Sequence, residues 1–244
     1  VTISDLLELH AIDNAILGAT EELGASGGMS IDKMVRNEVV GGTVKQLCDK
    51  VNATTGEHTE VTERSGMDTT CVLTPTEVNK AVTTLKKAHA PTINGKYVGI
   101  IHPSVAFDLR QSKEWVEAHK YAAVTELFNG EIGELHGVRF IESTNQKIWN
   151  DSTCPVKTAA ASGNPAVYYS VYATIIMGKD AFAMIDPDGG TMEMIVKTKG
   201  EAGGPLEQFS TVGYKYEGAA KRLYEERMVR IESTSAYSAT DPDN

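Results

Sequence analysis

Residues Thr74-Pro75-Thr76-Glu77 fix the start of a helix more firmly than any other feature of the chain. Threonine at the cap accepts from an amide of the first turn, and proline at the first helical position has no amide to leave unpaired. Glutamate three places after the cap completes the signal. Behind them Val78, Ala81, Val82 and Leu85 recur at helical spacing, so one face of this helix is buried, and it stops before Pro91. A short apolar run at 97–101 reads as a buried strand, and Pro103 opens a helical turn through Ala106 and Leu109. The chain is therefore of the α+β class.

The same pattern continues toward the C-terminus. Residues 115–128 read as a helix, and Gly130, Gly133 and Gly137 punctuate a turn before a strand at 138–141. A loop at 150–165 precedes strands at 168–176 and 181–185. Asp186-Pro187-Asp188-Gly189-Gly190 is a turn signal before a further strand at 191–196, which the glycines of 200–205 break. Residues 212–232 fit a helix through Leu223, Arg227 and Ile231 and a strand through Tyr214 and Tyr216; the strand is favoured. Small polar residues at 233–244 are expected to fray.

Toward the N-terminus, Ser4 and Asp5 cap a helix whose apolar positions include Leu6, Leu7, Ile12, Ile16, Leu17 and Leu23. Gly24 is placed to end it. After the break at 24–28, Ser30 caps a second piece carrying Ile31, Met34 and Val35, stopped by Gly41-Gly42, so a kinked helical spine is expected over 4–40. Residues 43–73, rich in threonine and charge and without period, read as an irregular excursion.

Composition narrows the function. The 244 residues include 23 Lys plus Arg against 33 Asp plus Glu, a net charge of -10, which argues against a surface built to neutralise phosphates. An acidic wall would keep a packaged polyanion from sticking to it. Cys48, Cys71 and Cys154 form no C-x-x-C pair and are expected as reduced thiols. The longest apolar stretch, around 171–177, is far short of the ~20 residues of a membrane helix. The chain begins at Val1 without methionine, so a processed or incomplete product is expected.

No group of residues makes a catalytic, cofactor or metal site. Gly24-Ala25-Ser26-Gly27-Gly28 matches the G-x-S-x-G pattern, but a nucleophile elbow needs a strand before Ser26 and a helix is expected there. A calcium loop at 186 would need a glutamate where Lys197 stands. The six histidines include no H-E-x-x-H pair, and His102, beside Pro103 at a strand end, reads as structural. Neither G-x-G-x-x-G nor the phosphate-loop pattern occurs. In the C-terminal run, Arg222, Glu226, Arg227 and Arg230 interleave both signs and are the candidate subunit-interface residues, since alternating charge sets the register of neighbours. Reversing charge at Arg222 and Arg230 is expected to impair assembly more than folding.

Taken in order, TPTEVNKAVTTLKKAHAP at 74–91, KYVGIIHPSVAFDLRQSKEW at 96–115, LFNGEIGELHGVRFIEST at 127–144, YYSVYATIIMGKDAFAMI at 168–185 and VGYKYEGAAKRLYEERMVRIESTSA at 212–236 resemble the major capsid proteins of tailed bacteriophages. These have the Hong Kong 97 fold, and the similarity points to the short-tailed subgroup with a virion-packaged polymerase. The resemblance implies a spine helix and extended loop of a peripheral domain over 1–73 and an axial domain over 74–190. Return strands to the peripheral domain would follow at 191–235, with a flexible tail at 236–244. It further implies a subunit assembled in the host cytoplasm and located in the virion. The subunit would associate with itself as hexamers and pentamers of an icosahedral lattice around DNA, without sequence-specific binding and without a membrane. Portal, scaffold or decoration proteins are the other implied partners. Members carry an N-terminal arm and extended loop before the spine helix, which are expected upstream of Val1 or replaced by 43–73. An encapsulin-like compartment shell is the alternative of the same fold, and an α+β hydrolase using Ser26 or His102 is the alternative of another class.

Overall fold

The structure is a computed structural model that describes residues 1–10, 14–52, 55–112, 133–159, 165–185, 187, 192–202, 206 and 208–244. Two compact units divide it, one formed by Val1–Val35 with Met184–Lys221 and the other by Arg36–Ala183 with Arg222–Asn244. The sequence boundaries at 73 and 190 do not coincide with these divisions.

The larger unit is organised by a seven-stranded sheet in which Lys45–Leu47, Met228–Ser233, Val171–Met177, Tyr97–Ile101, Val138–Glu142 and Glu134–Leu135 follow one another, while Ile148–Trp149 also pairs with Val171–Met177. The neighbours run antiparallel except Lys45–Leu47 with Met228–Ser233 and Tyr97–Ile101 with Val138–Glu142, which are parallel. Every residue of Val171–Met177 is buried. A strand covered on both faces reads as a continuous apolar run, as Val-Tyr-Ala-Thr-Ile-Ile-Met does.

Two helices supply much of the core of this unit. Pro75–Lys87 starts as its sequence dictates, with Thr74 accepting from the Glu77 amide, and buries Val78, Ala81, Val82 and Leu85. The Glu77 carboxylate does not return to the cap; it meets Gln46 at 2.6 Å and Lys80 at 2.8 Å. Pro103–Gln111 buries Val105, Ala106 and Leu109. Leu85 and Leu109 are fully buried, each contributing about 2 kcal/mol of transfer free energy.

The segment 43–73 is no excursion. Cys48, Val61, Met67, Cys71 and Leu73 belong to the main hydrophobic cluster, Lys45–Leu47 is a sheet strand, and Lys50–Val51 pairs with His58–Thr59. These five residues lie too far apart to make a period, yet all are buried.

The tail at 236–244 is also tied down rather than frayed. Tyr172 donates to Asp241 at 2.6 Å, Asn150 and Ser170 donate to the Asp241 carbonyl, and Asn244 accepts from the Ile148 amide. The Phe107 and Tyr237 rings meet with centroids 4.9 Å apart, tilted by 50°. Polar composition here reflects hydrogen bonding to Tyr172 of the central strand and to its neighbours Ser170, Asn150 and Ile148 rather than solvation.

In the smaller unit a three-stranded antiparallel sheet places Phe209–Lys215 between Thr2–Ser4 and Glu193–Lys197. The Val1 amino group donates to the Val212 carbonyl at 2.7 Å. Ser4 caps the short helix Asp5–His10, and Asn14 caps the next by accepting from the amides of Ile16 and Leu17. That second helix, Ala15–Val40, runs unbroken through the glycines at 24–28, and Ser30 donates to the Ser26 carbonyl instead of capping a new piece. The expected kink is absent because intrahelical bonds survive glycine; each glycine costs about 1 kcal/mol without removing a donor. Gly27 has a packing reason as well, for a Cβ there would lie 2.3 Å from the Met192 sulfur. Gly41-Gly42 end the helix as expected.

The strand favoured at 212–232 is divided into Phe209–Lys215, Ala219–Arg222 and Met228–Ser233, with a short 3-10 turn at Glu225–Arg227. The expected strand at 191–196 is Glu193–Lys197. The expected helix at 115–128 and the turn at 186–190, apart from Pro187, lie outside the described residues.

Candidate assembly surfaces

Arg222 and Arg230 face the end of the long helix, where the last carbonyls have no intrahelical partner. Arg222 donates to the Glu38 carbonyl and, at 2.6 Å, to the Glu225 carboxylate. Arg230 donates to the carbonyls of Val40 and Gly42. A Cβ on Gly41 would lie 2.5 Å from the Arg222 guanidinium, so glycine is what lets the arginine reach the helix end. Cations at a helix C-terminus are also favoured by its dipole. Glu225 completes the arrangement by accepting from the Thr43 amide at 2.9 Å. The pKa of Glu225 is held low first by that backbone hydrogen bond, with Arg222 adding to it.

Arg230 also belongs to a buried ionic group. Its Nε lies 2.9 Å from Glu232, which Arg64 also grips, and the Arg64 guanidinium stacks 3.9 Å over the Trp149 ring. Arg64, in the 3-10 turn Arg64–Gly66, stands 168 residues from Glu232 in sequence, and no local pattern marks the two as partners.

Arg227 stacks 3.9 Å over the Tyr224 ring and lies 3.5 Å from Asp180. Glu226 is exposed and has no hydrogen bond or ion pair among the described residues. Of the four candidate interface residues, then, two are committed to the chain's own helix end, one to a local stack, and one projects outward.

The residues weighed for chemistry have structural surroundings. Ser26 sits in the middle of a helix, not on a strand-to-helix elbow. His102 caps Pro103–Gln111, its Nδ1 accepting from the Ser104 amide at 3.2 Å. Burial holds the imidazole pKa below its usual range, with the Asp241 carboxylate opposing. The three cysteines are free and buried, and burial pushes the Cys71 thiol up to about 11. A cleft of about 660 Å³ is lined by Gln46, Asp49, Glu77 and Lys80, in which Lys80 pairs with both carboxylates and Gln46 donates to Glu77. Among the described residues no group of His, Cys, Asp or Glu is arranged to hold a metal ion, and no helix is long and apolar enough to cross a membrane.

Among the described residues, the charged side chains of the C-terminal run mostly brace strands and the helix end around a mixed sheet. A family profile described as "Phage capsid protein" matches residues 14–207, and the chain belongs to that family. Among solved structures, the capsid of Ralstonia phage GP4 matches with a TM-score of 0.65 at 14% identity, covering 100% of this chain and 73% of that one. A chain of Mycobacterium phage Che8 matches at 0.63 and 15% identity, covering 95% and 68%. The holo-SrpI encapsulin complex from Synechococcus elongatus PCC 7942 matches at 0.56 and 10% identity, covering 100% and 75%. No curated protein sequence matches. The fold is that of phage capsid proteins, and the chain is a capsid subunit, a part of the virion.

Proposed function

We propose that the chain is the repeating subunit of an icosahedral shell of the Hong Kong 97 type, in the short-tailed phage subgroup, closing around DNA as hexamers and pentamers. The observation that carries this reading is the family match over 14–207 joined to an α+β fold similar to a phage capsid over the whole chain. The smaller unit, with the long helix and the three-stranded sheet, takes the peripheral role. The larger unit, Arg36–Ala183 with Arg222–Asn244, takes the axial role. Modest contacts suffice for such a shell, because many repeated interfaces add by avidity and a closed lattice does not open when one fails. Glu226, exposed beside the Arg227–Tyr224 stack, is the candidate contact in the C-terminal run. The net charge of -10 suits a wall that holds nucleic acid without adhering to it. Assembly in the host cytoplasm, with portal, scaffold or decoration proteins as further partners, belongs to the same reading.

Electron microscopy of the purified product tests it. Uniform icosahedral particles containing nuclease-resistant DNA are expected; a monomer or dimer persisting at high concentration would refute it. The likeness to the encapsulin complex supports a second reading, a compartment shell, which particles filled with protein and free of DNA would favour.

A further inference from the structure

In the three-stranded sheet, Glu193–Lys197 is an edge: among the described residues it pairs only with Phe209–Lys215. Exposed edges are blunted by short length, by lysine and other charges, or by proline, a bulge or an inward charge, because they template pairing with another chain. This one is five residues long with a charge at each end, and it has no proline, bulge or inward charge between its two ends. Its register runs without interruption, Glu193 opposite Lys215, Ile195 opposite Gly213 and Lys197 opposite Thr211, and its three central residues are Met194, Ile195 and Val196. Ile195 is 39% exposed and Val196 41%.

The two end charges have no partner within the described chain. Neither Glu193 nor Lys197 forms an ion pair there, and Lys215, across from Glu193, lies 3.7 Å from Glu217 instead. The surrounding unit is also short of its own core. Among its described residues Ile3 and Val212 are the buried hydrophobic ones, whereas Leu6, Leu7, Leu9 and Phe209 are exposed.

The order Glu-Met-Ile-Val-Lys is its own antiparallel complement. Two copies aligned about a twofold axis through Ile195 place each Glu193 against Lys197 of the other copy and Met194 against Val196. Parallel pairing would instead set like charges side by side, and a one-residue slip would lose both charge pairs and exchange the faces. We propose that Glu193–Lys197 pairs antiparallel with the same strand of a second copy, an isologous contact that extends the sheet across two subunits. The contact deepens the shell-subunit reading and rests on it for copies at high local concentration.

Ile195→Cys tests the geometry, since residues directly opposite in an antiparallel pair lie within disulfide reach and the native cysteines are buried. Oxidation is expected to give a covalent dimer on a non-reducing gel, while Thr211→Cys on the middle strand gives none. In the Ile195→Cys background, Glu193→Lys or Lys197→Glu alone is expected to lower the dimer yield by about fivefold, and the two together to restore it. Undiminished cross-linking in the single variants, or no recovery in the double, overturns the proposal; circular dichroism confirms that each variant is folded. Microscopy of the same samples separates the two readings. Particles without cross-linking remove the strand pairing and leave the shell, whereas cross-linking without particles leaves the pairing and removes the shell.

Discussion

Arg64 grips Glu232 through two parallel hydrogen bonds, Nε to Oε2 at 2.8 Å and Nη2 to Oε1 at 3.0 Å. Glu232 is 2% exposed, so its charge depends on Arg64 and Arg230 for compensation. Arg64→Ala is expected to lower stability by about 3 kcal/mol in denaturant titration. Arg64→Lys should recover little of it, because an ammonium is a point charge and cannot reproduce the fork.

Arg222 and Arg230 answer the helix-end carbonyls of Glu38, Val40 and Gly42. Reversing their charge therefore strikes folding before assembly, the opposite of what the alternating pattern of signs implies. Replacing Arg222 by Ala should cost about 1 kcal/mol and Arg230 about 2 kcal/mol, since hydrogen bonds to charged groups exceed neutral ones. Thermal melting of the unassembled chain reads both.

Gly24 and Gly28 lie within the continuous helix with nothing near enough to meet a new Cβ. Gly24→Ala and Gly28→Ala should each stabilise by about 0.5–1 kcal/mol. At Gly27 the gain should vanish, because Met192 would have to move. Were 24–28 a turn, alanine would destabilise all three sites.

His102 caps its helix in the neutral form, and burial lowers its pKa below the usual 6.5, against the pull of Asp241. The unfolded imidazole takes up a proton first as pH falls, so the cap's contribution is present above about pH 6.5 and is lost on acidification below it. His102→Asn keeps an accepting cap that does not titrate. Its stability should fall less steeply than the wild type's between about pH 7 and pH 5, followed by denaturation midpoints.

Local signals were legible wherever one short segment determines the outcome. The cap at Thr74, the strand at 97–101, the proline start at Pro103 and the stop at Gly41-Gly42 all stand where their chemistry places them. Gly24–Gly28 misled because a glycine run is only a weak breaker when the surrounding helix is held elsewhere. Segment 43–73 and the tail misled for another reason: their burial depends on strands distant in sequence, which no periodicity reports. The same limit applied to Arg222 and Arg230, whose alternating neighbours resemble a solvated face until the helix end is brought to them.

Lys45 and Arg230 are neighbours in a parallel ladder, although most of the chain lies between them. The sheet therefore stays incomplete on the ribosome until the final strand has emerged, and the nascent chain exposes the edge of Val171–Met177 throughout that interval. Such non-local pairing slows folding and leaves the exposed edge open to mispairing with other nascent chains. A subunit produced in the numbers a shell demands then has its window of aggregation at the ribosome exit, before any lattice exists to bury it.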